Sequence, residues 1–394
     1  NEPFSLSLDG HLRQKEQDIT IDNFQLSGLG TSIETRLDAF PIAGDSAKTE
    51  GQMKLESQDL SIPLKIFLPY LNTNSINKKN KRALFDLSFR ADLEKGNFTV
   101  DKIESFLFGV KLNGTFAADD LYSSKPKVAG DLELNTPDFS PLLKLYSAIQ
   151  GSSSQTLVKA LGREKKRDLT IEASIRTLPE NNTVHLEKLE INALNTKVSS
   201  ILEVSSFKQN KELKGSLIVK NKDLTNLLAL VNQSQVSKYV DNGELKFQLA
   251  GNLDNLKVDS SIELYRTNKN GQTKFFEMES KDVSINAKKG NFDVPQLLLS
   301  GLGAKIILSS SVENVYDKPT GRLEFKAKEI NPRVWIRFLG EDFKPMDRTA
   351  LLNLNAEGTF DLSETALESH NLNIELDDSR INSQALIQFK PTPY

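Results

Sequence analysis

The segment Asn23-Phe-Gln-Leu-Ser-Gly-Leu-Gly-Thr-Ser-Ile33 has a near copy in Gln296-Leu-Leu-Leu-Ser-Gly-Leu-Gly-Ala-Lys-Ile306, each centred on Ser-Gly-Leu-Gly. Such a run either cradles a phosphate or turns one strand into the next. The flanks decide between these. A dinucleotide loop needs a third glycine followed by a helix, but Ile33 and Ile306 stand at that position and a period-two apolar pattern follows. A Walker-type phosphate loop is absent as well.

Superposing the two segments gives a template: two alternating apolar residues, two polar ones, then two more alternating apolar residues. In the first copy these are Ile19 and Ile21, Asp22-Asn23, and Phe24 and Leu26. The second copy has Phe98 and Val100, Asp101-Lys102, then Ile103, with Ser105 a weaker last member. The third has Val184 and Leu186, Glu187-Lys188, then Leu189 and Ile191. The fourth is Phe292 and Val294, Pro295-Gln296, then Leu297 and Leu299, and a fifth, weaker copy has Leu367, His370-Asn371, Leu372 and Ile374. A strand steps by two, so the jump of three across the polar pair demands a bulge there, or the apolar face would flip to solvent. Pro295 falls inside that interruption, where no ladder hydrogen bond is required.

Past each copy, one position carries Gly30, Gly109, Asn195, Gly303 or Asp378. These residue types share tolerance of positive φ, so the position reads as a left-handed turn residue. The first glycine of Ser-Gly-Leu-Gly aligns with Leu107, Ala193 and Leu376, which leaves only the second with a backbone requirement. An apolar residue then recurs as Ile33, Leu112, Val198, Ile306 and Ile381, starting a new strand with the same facing.

Beyond four of the turns lies a helix-start signal: DLSIPLKIFLPYL from Asp59, DFSPLLKLYSAIQG from Asp138, DLTNLLALV from Asp223 and NPRVWIRFLG from Asn331. Each opens on Asp or Asn, and Ser140-Pro141 reads as an N-cap followed by proline at the first helical position. The fifth copy would place its helix beyond residue 394. Between Asp223 and Gly303 the chain is longer, and Asn270-Gly271 marks an extra hairpin there. The expectation is a mainly β, elongated repeat array over residues 1–394 with about four short helices. Its units are 1–75, 82–151, 167–236, 242–341 and 349–394, the last truncated.

Composition narrows the function classes. The chain has 394 residues, a net charge of -3, 38% hydrophobic and 26% charged residues, and no cysteine. It offers no general basic field for nucleic acid, no disulfide and no thiolate chemistry. No apolar run approaches the ~20 residues that span a bilayer, and no signal peptide is visible. The abrupt start at NEPFSLSL and stop at QFKPTPY are read as the bounds of a fragment whose targeting or anchoring segment is missing. His11, His185 and His370 are scattered, without a metal or triad motif, so no catalytic residue, metal or cofactor is assigned. Two basic clusters stand out, Lys78, Lys79, Lys81 and Arg82, and Arg163, Lys165, Lys166 and Arg167. They read as contacts for anionic headgroups or an acidic partner, or as solvated connectors.

The DFSPLLKLY and DLTNLLALV helix openings follow strands ending GDLELNTP and GSLIVKNK. Together with the strand-turn-strand segments around Gly30 and Gly303, this order resembles the AsmA-like family of Gram-negative envelope proteins, which includes TamB-type proteins. The resemblance covers essentially the whole chain and lies in the order and recurrence of degenerate motifs. It implies one long curled antiparallel sheet in the periplasm, with an apolar groove that passes phospholipids between the inner and outer membranes. Envelope proteins would be its partners, and a segment absent from this chain would anchor it to the inner membrane. With roughly 20 strands at about 4.8 Å spacing, such a sheet would run some 90 to 100 Å.

The lining would consist of the recurrent apolar positions: Ile19, Ile21, Phe24, Leu26 and Ile33; Phe85, Leu87, Phe89, Phe98, Val100 and Leu112; Val184, Leu186, Leu189, Ile191 and Val198. It would continue through Leu245, Phe247 and Leu249, then Phe292, Val294, Leu297, Leu299 and Ile306, and finally Leu372, Ile374 and Ile381. The competing reading is a structural or assembly scaffold of the envelope in which the same faces close on one another as a sealed core. A carbohydrate-active enzyme stays open only because carboxylates that meet in space are invisible in sequence.

Overall fold

Alternation of Phe, Leu, Ile and Val with charged and hydroxyl residues suits a pleated strand with unlike faces, and the computed structural model is mainly β. It describes residues 6–15, 18–41, 48–61, 81–123, 125–140, 168–178, 183–205, 211–224, 240–252, 254–268, 271–338, 347 and 349–389. The chain divides into two compact units, Asn1–Ile201 and Leu202–Tyr394.

The first unit holds ten strands: β1 (Leu6–Lys15), β2 (Asp18–Gly28), β3 (Thr31–Pro41), β4 (Lys48–Ser57), β5 (Ala83–Asp92), β6 (Asn97–Leu107), β7 (Val110–Asp119), β8 (Lys127–Thr136), β9 (Leu169–Leu178) and β10 (Thr183–Ala193). Each pairs antiparallel with the next in sequence. Strand β11 (Thr196–Ser205) spans the boundary between the units. The second unit continues with β12 (Glu212–Asn221), β13 (Asn242–Asn252), β14 (Asn255–Asn268), β15 (Gly271–Asn286), β16 (Asn291–Gly301), β17 (Ala304–Glu313), β18 (Thr320–Ile330), β19 (Leu354–Leu362), β20 (Ala366–Leu376) and β21 (Ser379–Gln388). These ten form the same open antiparallel meander.

The bulges lie where the polar pairs placed them. Register shifts fall between Ile21 and Phe24, Val100 and Ile103, Leu186 and Lys188, Val294 and Leu297, and Ser369 and Leu372. The left-handed turn positions hold as well, at Gly30 (φ 69°), Gly109 (φ 82°), Asn195 (φ 61°) and Gly303 (φ 69°). In the fifth copy the shift is by one residue, because the left-handed backbone there belongs to Asp377 (φ 51°) rather than to the expected Asp378.

Two further features differ from expectation. The residue before each turn position is also left-handed, at Leu29 (φ 53°), Phe108 (φ 55°), Leu194 (φ 51°) and Leu302 (φ 51°). Positive φ at both central residues is the two-residue hairpin geometry whose twist matches the flanking strands. Gly301 also carries a backbone requirement of its own (φ 148°). A Cβ there would stand 2.6 Å from the carbonyl oxygen of Phe275 and 2.9 Å from the Cα of Phe276.

One helix is described, α1 (Pro332–Phe338), with proline at its start and the Asn331 side chain accepting the backbone N–H of Arg333 at 3.1 Å. Asp59 and Asp138 accept the N–H groups of Ser61 at 3.0 Å and Ser140 at 2.9 Å in the same way. The segments that follow, and the one after Leu224, lie outside the described residues, so the other three expected helices are not described. The extra hairpin is present as β14 and β15, which pair from Leu256↔Ile285 to Asn268↔Gly271.

Within each unit the strands alternate direction, so in the first the turns after β2 and β6 lie at the end where the chain leaves β4 and β8, and in the second those after β16 and β20 lie at the end where it leaves β12 and β18. Gln58 donates its backbone N–H to the Gly30 carbonyl at 3.0 Å, and Asp377 donates to that of Asn353 at 2.8 Å. The turns after β2 and β20 are thereby tied to the connectors beside them.

Candidate functional site

Directly paired residues of antiparallel strands point to the same face, so the registers trace each face strand by strand. In the first unit one line of partners runs Leu26, Ile33, Leu55, Phe85, Ser105, Leu112, Leu134, Ile171, Ile191. The next runs Phe24, Thr35, Met53, Leu87, Ile103, Gly114, Leu132, Ala173, Leu189. A third runs Ile21, Leu37, Gly51, Phe89, Val100, Phe116, Gly130, Ile175, Leu186. Phe98 lies between Ala91 and Ala118 on a fourth line, and Val184 pairs with Thr177. The bulges keep these lines apolar, since each absorbs the extra residue that would otherwise invert the strand.

The second unit repeats the arrangement. One line runs Val219, Leu245, Ile262, Met278, Leu299, Ile306, Ala327, Ala356, Ile374, Ile381. Its neighbour runs Leu217, Phe247, Ser260, Ser280, Leu297, Leu308, Phe325, Gly358, Leu372, Ser383. Leu249 pairs with Val258, Val294 with Ser310, and Phe292 with Val312 on the lines beyond.

Within its own unit, each expected lining residue with a traced register therefore lies on the apolar face. Ile19 pairs with Phe40 on the same face, but its side chain lies outside the described residues. Val198 is half-buried on β11. The template leaves out further residues of the same face, such as Met53, Leu55, Leu132, Leu308 and Phe325. Their signal was the plain period-two alternation, which marks a face on each strand but does not say which faces of distant strands coincide.

Burial on this face is partial. The buried apolar residues among those described are Ala83, Val110, Ala118, Phe139, Val240, Ala304 and Ala327, so none of the large side chains on the traced lines is among them. Phe116 is 37%, Leu132 42% and Ile381 53% exposed.

The opposite face is charged and internally paired. Arg90 donates to both carboxylate oxygens of Asp101, at 2.9 and 2.5 Å, which holds that carboxyl below the usual range. Lys102 bridges Asp86 (2.8 Å) and Glu104 (3.1 Å), and its hydrogen bond to Asp86, followed by that to Glu104, holds it above the usual lysine range. Lys188 hydrogen-bonds Glu172 and lowers its pKa. A shallow basin of about 620 Å³ among Asp101, Glu104, Asp131, Glu133, Glu172 and Lys188 lies on this face. Among the described residues no group of three or more His, Asp or Glu is placed to hold a metal ion.

His370 sits in the fifth bulge, 3.2 Å from Asp361 and 3.8 Å from Glu368. Of the basic clusters only Lys81 and Arg82 are described. Lys81 donates to Asp59 at 2.7 Å, closing the connector on itself, so its ammonium is already engaged, while Arg82 is exposed. Lys78, Lys79, Arg163, Lys165, Lys166 and Arg167 lie outside the described residues.

Comparison with protein-family models, curated proteins and solved structures returned no match. Among the described residues no helix is long and apolar enough to cross a membrane.

Proposed function

We propose that this chain is a non-enzymatic phospholipid-transfer element of the Gram-negative envelope, working in the periplasm between inner and outer membranes as a passive hydrophobic β-groove. The observation that carries the reading is the alignment of apolar lines perpendicular to the strands, on a face whose large side chains are only half-buried. Over ten strands such a line crosses nine steps of about 4.8 Å. An acyl chain following it covers apolar surface along its length, at about 0.8 kcal/mol for each methylene that becomes buried. Headgroups remain at the polar margin.

A sealed scaffold is the reading to be beaten, because it would bury the same large side chains against a second layer. Lipid extraction and mass spectrometry of the purified chain separate the two. Stoichiometric phospholipid is expected, and a lipid-free protein with no accessible apolar face rejects the groove.

A further inference from the structure

Phe89, Phe116 and Phe325 each face a glycine across the neighbouring strand: Gly51, Gly130 and Gly358. In a pleated strand a side chain stands roughly perpendicular to the sheet. These rings instead lean over the glycine. A Cβ on Gly51 would stand 2.6 Å from Cε1 of Phe89, one on Gly130 3.0 Å from Cδ2 of Phe116, and one on Gly358 2.9 Å from Cε1 of Phe325. None of these glycines has a left-handed backbone, so what each supplies is room.

In the first unit the leaning rings join Phe98, whose centroid lies 6.4 Å from that of Phe89 and 6.3 Å from that of Phe116. Phe98 is itself flanked by Ala91 and Ala118, so small residues bound the cluster along both lines. In the second unit Phe325 stacks on Phe360 at 5.9 Å and 25° beside Gly358.

We propose that these two aromatic floors are seats for a lipid hydrocarbon chain, and that Gly51, Gly130 and Gly358 set their depth by letting the rings lie down. This rests on the reading of the face as a lipid groove. The occupant is a hydrocarbon chain and not a polypeptide because the floors offer it aromatic carbon, the nearest hydroxyls in register, those of Thr49 and Ser369, being buried. A peptide laid there would leave its own backbone groups without partners, at a cost hydrocarbon does not incur. Rings already held in place by their neighbours lose little freedom when covered.

The test uses the full chain with p-benzoylphenylalanine at Phe116 or, as an off-floor control on the same face, at Ile33. Each protein is incubated with dioleoyl phosphatidylcholine vesicles, irradiated, and its lipid adducts are counted by intact mass. Position 116 is expected to exceed position 33 by about fourfold, the occupancy ratio that one additional buried methylene produces. Gly130→Ala, which forces the Phe116 position upright, is expected to abolish that excess while the melting temperature confirms a folded chain. Equal adducts at 116 and 33 overturn the seats and leave the groove standing. No adduct at either position overturns the groove itself. A crosslink from 116 to another segment of the same chain overturns the proposal by showing that the protein covers the floor itself.

Discussion

Lys274 of β15 donates to Glu263 of β14 at 2.6 Å, and on its own strand it reaches Glu277 at 2.9 Å. Glu244, Glu263 and Glu277 stand directly opposite one another on three successive strands, an arrangement of like charges that is unfavourable without counterions. Lys220 and Lys246 approach Glu244 at 3.0 and 3.3 Å, and Tyr265 donates to Glu263 at 2.6 Å. The extra hairpin is thus held together by charge on its polar face, where its Glu263 stands opposite the lysine-paired Glu244 of β13. Its apolar face follows the lines of its neighbours.

The bonds from Lys274 and then Tyr265 lower the pKa of Glu263, and those from Glu263 and then Glu277 raise that of Lys274. The lowered carboxyl stabilises the fold above the ordinary glutamate pKa, and that contribution is lost as pH falls through its native value. The raised ammonium contributes below the ordinary lysine pKa and is lost only in alkali, as pH rises through its own native value. Lys274 is 40% exposed, so screening limits the loss in Lys274→Met to about 1 kcal/mol at pH 7. Urea unfolding is expected to show this gap at pH 7 and its near disappearance at pH 3. A gap of equal size at both values rejects the assignment.

Gly30 and Gly303 isolate the conformational cost of a turn, because a Cβ on either would meet nothing within 4 Å. Gly30→Ala and Gly303→Ala should each destabilise by about 1 kcal/mol. Asparagine at the same positions should cost only a fraction of that, as Asn195 already occupies the equivalent turn with φ 61°. Thermal unfolding of the four variants checks the ordering.

Leu26 faces Ile33 across β2 and β3. On an open face Leu26→Glu keeps its carboxylate within reach of water, so the fold survives and bound lipid falls. In a sealed core the same change buries an unpaired charge and unfolds the unit. Unchanged melting together with unchanged lipid content would sink both the groove and the face assignment.

Asp377 accepts backbone N–H groups from Leu351, Leu352 and Asn353 at 2.5, 2.9 and 3.0 Å, and these bonds, that from Asn353 foremost, lower its pKa. Its stabilisation is present above the ordinary aspartate pKa and is lost as pH falls through the lowered native value. Hydrogen exchange at residues 351–353 should accelerate in Asp377→Ala at neutral pH and in the wild type on acidification. Exchange insensitive to both would show that the turn does not hold the connector.

The sequence made the bulges legible because a bulge is a local count. Ile21 and Phe24 are three apart where a strand allows two, and a one-residue error would turn a whole face outward. It also marked Gly30, Gly109, Asn195 and Gly303, since few residue types tolerate their backbone. Leu29 and Leu302 gave no such sign. Leucine does not favour positive φ, and it adopts it here because a two-residue loop leaves both central positions left-handed. The Gly51–Phe89 contact was also hidden, because it depends on a register set across a long connector and not on either residue's neighbours. The unlike faces could be read from each strand alone. That the apolar faces coincide across a unit could not.

The extra hairpin carries a last consequence. Inserting β14 and β15 adds two strands, so β16 runs in the direction β14 would otherwise have had, and the next turn returns to the end that holds the long connectors. A single inserted strand would send every later turn and connector of the unit to the opposite end from the connector that follows β12. Lengthening of this meander is therefore quantised. While its connectors stay at one end, its reach changes in steps of two strand spacings, about 9.6 Å, and insertions that respect this parity extend the face without disturbing what lies on either side.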